Sequence, residues 1–160
     1  MSAAHLQILP ARTSDELAAV RSLFLEYAAT LGFSLCFQGF DEELAGLPGC
    51  YAPPAGELLL ARSATEFVGV VALRPLPEPR ACEMKRLYVR PSERGVGLGR
   101  RLALEAVAAA SARGYAVMRL DTIVTMVEAR RLYESLGFVP SEAYYPNPLP
   151  GAVYLARVLS

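Results

Sequence analysis

Apolar positions recur along this chain with two different periods, and the changes of period mark its elements. Leu17, Val20, Leu23, Phe24, Tyr27 and Leu31 share one side of a helix and predict an amphipathic helix over residues 14–30, ended near Gly32. Thr13 and Glu16 give it a capping-box start. Residues 5–9 predict a strand that Pro10 ends. Residues 33–49 are less regular, although Asp41-Glu42-Glu43 before Leu44 predicts the acidic first turn of a short second helix. Pro48, Gly49, Pro53, Pro54 and Gly56 mark a loop. Two apolar runs, 57–62 and 66–74, flank Ser63-Ala64-Thr65 and predict an antiparallel hairpin. A loop holding Pro75, Pro77 and Pro79 leads to a strand over 81–89, stopped by Pro91. Residues 97–113, rich in Ala and Leu, predict a long helix with Gly114 as its C-cap. A strand over 115–122, a helix over 126–136 and two strands over 138–145 and 152–159 complete the chain.

The order is β-α-α-β-β-β-α-β-α-β-β. A meander followed by a βαβ unit predicts an α/β (α+β) fold, a mixed sheet flanked by helices. No repeat or linker divides residues 1–160, so a single domain is expected.

Charge narrows the partners. Sixteen basic and sixteen acidic residues cancel, which removes the overall electrostatic case for nucleic acid or an anionic membrane. The basic residues are not spread evenly: Arg80, Lys85, Arg86, Arg90, Arg94, Arg100 and Arg101 share one stretch. Such a cluster in a neutral chain suits a compact anionic ligand, and a solvated charged surface gives the same pattern. Cys36, Cys50 and Cys82 lack CxxC spacing, which argues against a disulfide framework and a zinc site. The single histidine, His5, is all that a His-based metal site or Ser-His-Asp triad could use, so no metal is expected. No leader pattern and no apolar run of the roughly 18 residues needed to cross a bilayer occurs, which makes the cytoplasm the expected location.

The chemistry concentrates in Val89-Arg90-Pro91-Ser92-Glu93-Arg94-Gly95-Val96-Gly97-Leu98-Gly99-Arg100-Arg101-Leu102. A strand ends, a glycine-rich turn follows and a long helix begins. The first helical turn has backbone N–H groups without intrahelical partners, and the macrodipole adds positive charge there. Glycines let the backbone approach a ligand closely, so the segment can hold phosphate. It is not a Walker A loop, because Gly99 is followed by Arg100 rather than Lys-Ser/Thr. It is not a dinucleotide fingerprint either, because Gly95, Gly97 and Gly99 alternate.

Arg94-x-x-Gly97-x-Gly99 resembles the pyrophosphate-binding motif of the GNAT acetyltransferase superfamily. The preceding strand Cys82-Glu83-Met84-Lys85-Arg86-Leu87-Tyr88-Val89 resembles that family's central strand. Ala129-Arg130-Arg131-Leu132-Tyr133-Glu134-Ser135-Leu136-Gly137-Phe138 resembles its A-x-x-LYE-x-x-GF helix, in the right order and spacing. The resemblance runs from about Glu57 to the C-terminus and implies a seven-stranded mixed sheet with about four helices and a splayed bulge in the central strand. It implies an N-acyltransferase that moves an acetyl or short acyl group from acyl-CoA to a primary amine, with a non-catalytic acyl-CoA-binding module as the alternative. The CoA segment would run from about Ala81 to Gly99. Backbone groups of Leu87, Tyr88 and Val89 would pair with the pantetheine arm, and an N–H of Val89 or Leu87 would stabilise the thioester oxyanion. Arg94, Gly95, Val96, Gly97, Leu98, Gly99 and Arg100 would hold the pyrophosphate.

Two side chains are candidates for proton transfer. Glu83 is expected as the base, directly or through water; pairing with an arginine on a neighbouring strand explains it equally well. Tyr133 is expected as the acid that protonates the leaving thiolate. Packing is its competing explanation, since Ala129, Leu132, Tyr133 and Leu136 share a helix face. Met126 stands where many family members carry an asparagine that contacts the cofactor, and it fits a packing role. Cys82 reads as a buried small hydrophobe rather than a nucleophile. Phe33, Phe37, Gln38, Phe40, Asp41, Glu42 and Glu43, with Tyr144, Tyr145 and Asn147, could wall an acceptor site for a cationic amine, small or on a protein. A homodimer is compatible with the family.

Overall fold

The computed structural model describes residues 6–159. His5 lies outside them. The elements run β1 (Leu6–Pro10), α1 (Ser14–Thr30), α2 (Phe40–Ala45), β2 (Glu57–Ser63), β3 (Glu66–Pro75), β4 (Ala81–Val89), α3 (Leu98–Ala112), β5 (Val117–Ile123), α4 (Val127–Ser135), β6 (Val139–Pro140) and β7 (Ala152–Val158). One seven-stranded sheet takes them in the order β1-β2-β3-β4-β5-β7-β6. Among the described residues only the β4–β5 pair is parallel, as the helical crossover between those strands requires. This is the mixed sheet with flanking helices that the sequence predicts.

The capping box forms: Thr13 Oγ1 accepts from the Glu16 N–H at 3.1 Å, and Glu16 Oε1 accepts from the Thr13 N–H at 2.9 Å. α1 then buries Val20, Leu23 and Phe24 against Leu58, Leu60, Val70 and Ala72. The intervening residues Leu59, Ala61, Val71 and Leu73 face the opposite layer, where α3 presents Leu98, Leu102, Ala106 and Ala110. Both sheet faces are covered, so β2 and β3 read as continuous apolar runs rather than alternating ones.

Two irregularities shape the centre of the sheet. The β3–β4 register passes from Val70↔Tyr88 to Ala72↔Lys85, which leaves one extra residue on β4. Arg86 takes the left-handed conformation there, with φ +62°. That bulge sends the consecutive side chains Lys85 and Arg86 to the same partner, Gln38. In addition, β4 and β5 pair only from Ala81↔Val117 to Glu83↔Arg119 and then part.

The strand expected over 138–145 shrinks to Val139–Pro140. Pro140 has no N–H to carry the ladder on, and Ser141 makes the last backbone bond, to Tyr154, at 2.9 Å. The chain from there folds over the parted strands. Among the described residues no helix is long and apolar enough to cross a membrane.

Candidate active site

The parting of β4 and β5 opens a pocket of about 100 Å³. Met84, Lys85, Arg86 and Leu87 supply one wall, and Asp121, Thr122 and Ile123 the other. Tyr133 closes it from α4, and Phe33, Phe37, Gln38 and Asn147 roof it. A groove of about 370 Å³ adjoins it, lined by Leu87, Tyr88, Val89, Arg94 and the start of α4. Tyr27, Leu87, Met126 and Ala129 border both, so pocket and groove are continuous.

The groove reaches Arg94, the residue before the glycine turn. Gly95 and Gly97 hold φ of +86° and +79°, a region that side chains other than Gly rarely adopt. A Cβ at either would meet nothing within 4 Å, so the backbone there lies open. No backbone N–H from Gly95 to Arg100 donates to an acceptor among the described residues. These groups surround the N-terminus of α3, whose cap Gly97 has no side chain to satisfy them. The turn thus presents a row of donors on the positive end of a helix, the arrangement that binds phosphate. Arg94 bends back to donate to the Val89 carbonyl at 2.9 Å, with its guanidinium 5.8 Å from the Tyr88 ring centroid. Arg100 bonds Ser135 at 2.8 Å.

The run of basic residues does not form one patch. Arg90 pairs with Glu26 at 2.7 Å. Arg86 makes a two-pronged pair with Glu43, at 3.0 Å on both sides, and lies 5.1 Å from the Phe40 ring centroid. Lys85 alone of that stretch lines the pocket without a dedicated carboxylate.

Glu83 is fully buried. One oxygen accepts from Arg74 Nε on β3 at 2.6 Å, and the other accepts from the Tyr144 hydroxyl. It therefore has the neighbouring-strand arginine expected of an ion-paired carboxylate, but in the interior. Its neighbours Met84 and Lys85 line the pocket, and Glu83 itself does not. Tyr133 lies in the pocket, edge-on to Phe138 at 5.9 Å, and its hydroxyl bonds no described residue. Burial raises its pKa well above that of a free phenol, so it stays protonated and able to donate. Burial pushes the Cys82 thiol up to about 12, with Glu83 adding to the effect, which makes it a poor nucleophile. Met126 lines both cavities and accepts a contact from Thr122 Oγ1 at 3.6 Å.

Asp121 is a pocket carboxylate that the sequence did not single out. Its Oδ2 accepts from the Tyr145 hydroxyl and from Asn147 Nδ2, the latter at 2.8 Å, while Oδ1 accepts from no described residue. The available signal was the only acid of the strand predicted over 115–122. Of the expected acceptor wall, Phe33, Phe37, Gln38 and Asn147 line the pocket. Tyr144 and Tyr145 brace Glu83 and Asp121, Phe40 and Glu43 brace Arg86, and Asp41 and Glu42 are exposed.

The profile of the acetyltransferase (GNAT) family matches residues 18–138. The chain belongs to that family. An uncharacterised N-acetyltransferase of Schizosaccharomyces pombe is 40% identical over 161 residues, covering 100% of this chain and 99% of that one. The solved acetyltransferase of Streptococcus agalactiae superposes with a TM-score of 0.79 at 22% identity, covering 97% and 99% of the two chains. A Salmonella typhimurium structure holding acetyl-CoA as its cofactor superposes at 0.71 and 17% identity, covering 98% and 95%. At those identities the two structures speak for the fold alone. As a GNAT protein the chain is of the acetyl-CoA-dependent N-acetyltransferase class. The seven-stranded mixed sheet with its flanking helices is the fold shared with these structures.

Proposed function

We propose that this protein transfers an acetyl or short acyl group from its CoA thioester to a primary amine held in the pocket between β4 and β5. The observation that carries this is a groove along Leu87–Val89 that is continuous with a pocket holding a carboxylate and a free phenol, and that reaches Arg94 next to the donor row at Gly95–Arg100. An extended thioester whose pyrophosphate sits on the donor row would run along β4 and deliver its acyl carbon to the pocket. Leu87, Tyr88 and Val89 offer it backbone groups. Arg94, released from the Val89 carbonyl, and Arg100 lie beside the phosphates.

In the proposed reaction the amine nitrogen attacks the thioester carbon, and the carbonyl electrons move onto oxygen beside the β4 N–H groups. Nitrogen becomes more acidic as its bond to carbon forms, and Asp121 Oδ1 stands open to take that proton. Collapse of the intermediate breaks the C–S bond, and Tyr133 protonates the departing thiolate. From an ammonium form of the acceptor, one proton ends on the CoA thiol and one in solvent. Glu83, expected as the base, has both oxygens occupied. Its role here is to pair with Arg74 and to fix Tyr144. The free thiols Cys36, Cys50 and Cys82 suit a cytoplasmic setting.

Thermal shift with acetyl-CoA, free CoA and NADPH tests the cofactor. At about 100 times its Kd a ligand adds roughly 2.7 kcal/mol, on the order of 5 °C. A rise with the CoA species alone is expected. No rise with either CoA species would remove the basis for the reaction.

A further inference from the structure

We infer that the acceptor carries a carboxylate as well as its amine, so that the substrate class is a free amino acid, with Lys85 as the carboxylate-binding residue and Asp121 as the amine site. This rests on the transferase reading above.

Lys85 is the central observation. Its side chain is only 8% exposed, and what remains open faces the pocket. An ammonium has three N–H groups to satisfy. One reaches Gln38 Oε1 at 3.1 Å, an atom that Arg86 also binds at 2.7 Å. Glu83 Oε1 stands 3.9 Å away, beyond hydrogen-bond reach, and already accepts from Arg74 at 2.6 Å. Burial lowers the Lys85 pKa, with Glu83 and Asp121 opposing the shift and Arg86 and Arg74 adding to it. A buried ammonium with so few partners is unfavourable unless an anion completes it.

The other charges in the region are already matched. Arg86 with Glu43 and Arg74 with Glu83 form two neutral pairs. Removing them from the count leaves Lys85 and Asp121 as the polar ends of the pocket. Both line the one pocket that opens where β4 and β5 part beyond Glu83↔Arg119, Lys85 from the β4 side and Asp121 from the β5 side, and Asp121 is close enough to act on the Lys85 charge. A hydrogen-bonded chain from Lys85 through Gln38 and the Tyr145 hydroxyl to Asp121 fixes both ends, with the middle link at 2.9 Å. One positive and one negative group across a small pocket complement a zwitterion. A plain amine would answer only half of that arrangement, and a polyamine would meet a like charge at Lys85.

The test measures CoA thiol release from acetyl-CoA with the common L-amino acids, their carboxamides and simple alkylamines, on wild type, Lys85→Met and Lys85→Arg. Wild type is expected to favour the best amino acid over its amide by about tenfold or more in kcat/KM. Lys85→Met should raise KM for that acid by about tenfold, leave kcat within about threefold, and erase the preference over the amide. Lys85→Arg, which keeps the charge, should retain the preference if Lys85→Met fails to fold. Equal turnover of acids and amides by wild type overturns the inference while leaving the transferase intact. So does a Lys85→Met variant that loses kcat at unchanged KM, which would put Lys85 in the proton path. No thiol release with any amine overturns the transferase reading, and this inference with it.

Discussion

Replacing Gly97 by aspartate, with asparagine as its uncharged twin, isolates the electrostatics of the donor row. A Cβ at Gly97 meets no atom within 4 Å, so neither variant is excluded by packing. Both pay for the left-handed φ of +79°, about 1 kcal/mol for residues that tolerate this region best. The two differ by one charge. At about 5 Å from a phosphate, with an effective dielectric near 20, a carboxylate repels each phosphate charge by about 3 kcal/mol. That is roughly two orders of magnitude in Kd. The free Gly97→Asp protein should melt no lower than Gly97→Asn, since a negative charge suits a helix N-terminus. Isothermal titration with CoA at low salt should then show Gly97→Asn close to wild type and Gly97→Asp weaker by about a hundredfold. Equal affinity of the two variants would mean that the phosphates bind elsewhere.

Three further outcomes follow from named contacts. Tyr133→Phe should lower kcat by more than about tenfold with CoA affinity unchanged, as measured by steady-state kinetics and titration; unaltered turnover would assign Tyr133 to packing against Phe138. Gly56→Ala should cost about 1–3 kcal/mol in denaturant unfolding, because its Cβ would lie 2.6 Å from the Cys50 carbonyl oxygen and from the Tyr51 backbone. Glu57→Gln should destabilise at neutral pH and cost little in acid. Burial tends to raise the Glu57 pKa, but bonds from Arg12 at 2.7 Å, the Leu58 N–H at 2.9 Å and Arg113 at 2.7 Å outweigh it and hold the carboxyl below its ordinary range. A lowered carboxylate pKa adds stability that is present above the unfolded value near 4.3 and disappears as pH falls through the folded one. The gap in Tm between wild type and Glu57→Gln should therefore narrow below about pH 4; a pH-independent gap would refute the assignment.

How much was legible depended on whether the signal was local. The start of α1 was written in Thr13 and Glu16, and its ends came out at Ser14 and Thr30 as read. β4 matched at both ends, and the glycine turn opened α3 as its alternating glycines implied. Residues 138–145 failed because apolar content was weighed above Pro140, and because Tyr144 and Tyr145 are held by Glu83 and Asp121 rather than by a strand partner. The Lys85–Asp121 opposition was out of reach for a different reason. It depends on two strands that part beyond Glu83 and Arg119 and on an arginine in a left-handed bulge, where nothing in the local sequence favours φ of +62°. The basic run misled for the same reason: Arg86 and Arg90 point to Glu43 and Glu26, carboxylates more than 40 residues earlier in the chain.

Acyl transfer in the pocket between β4 and β5 is open to direct measurement. Its most direct test is to incubate the protein with acetyl-CoA and a pool of amines, measuring thiol release together with the masses of the products. An acetylated amine should form in step with free CoA, and both should be lost in Gly97→Asp. Stabilisation by acetyl-CoA with no thiol released would contradict it and make the protein a non-catalytic acyl-CoA-binding module.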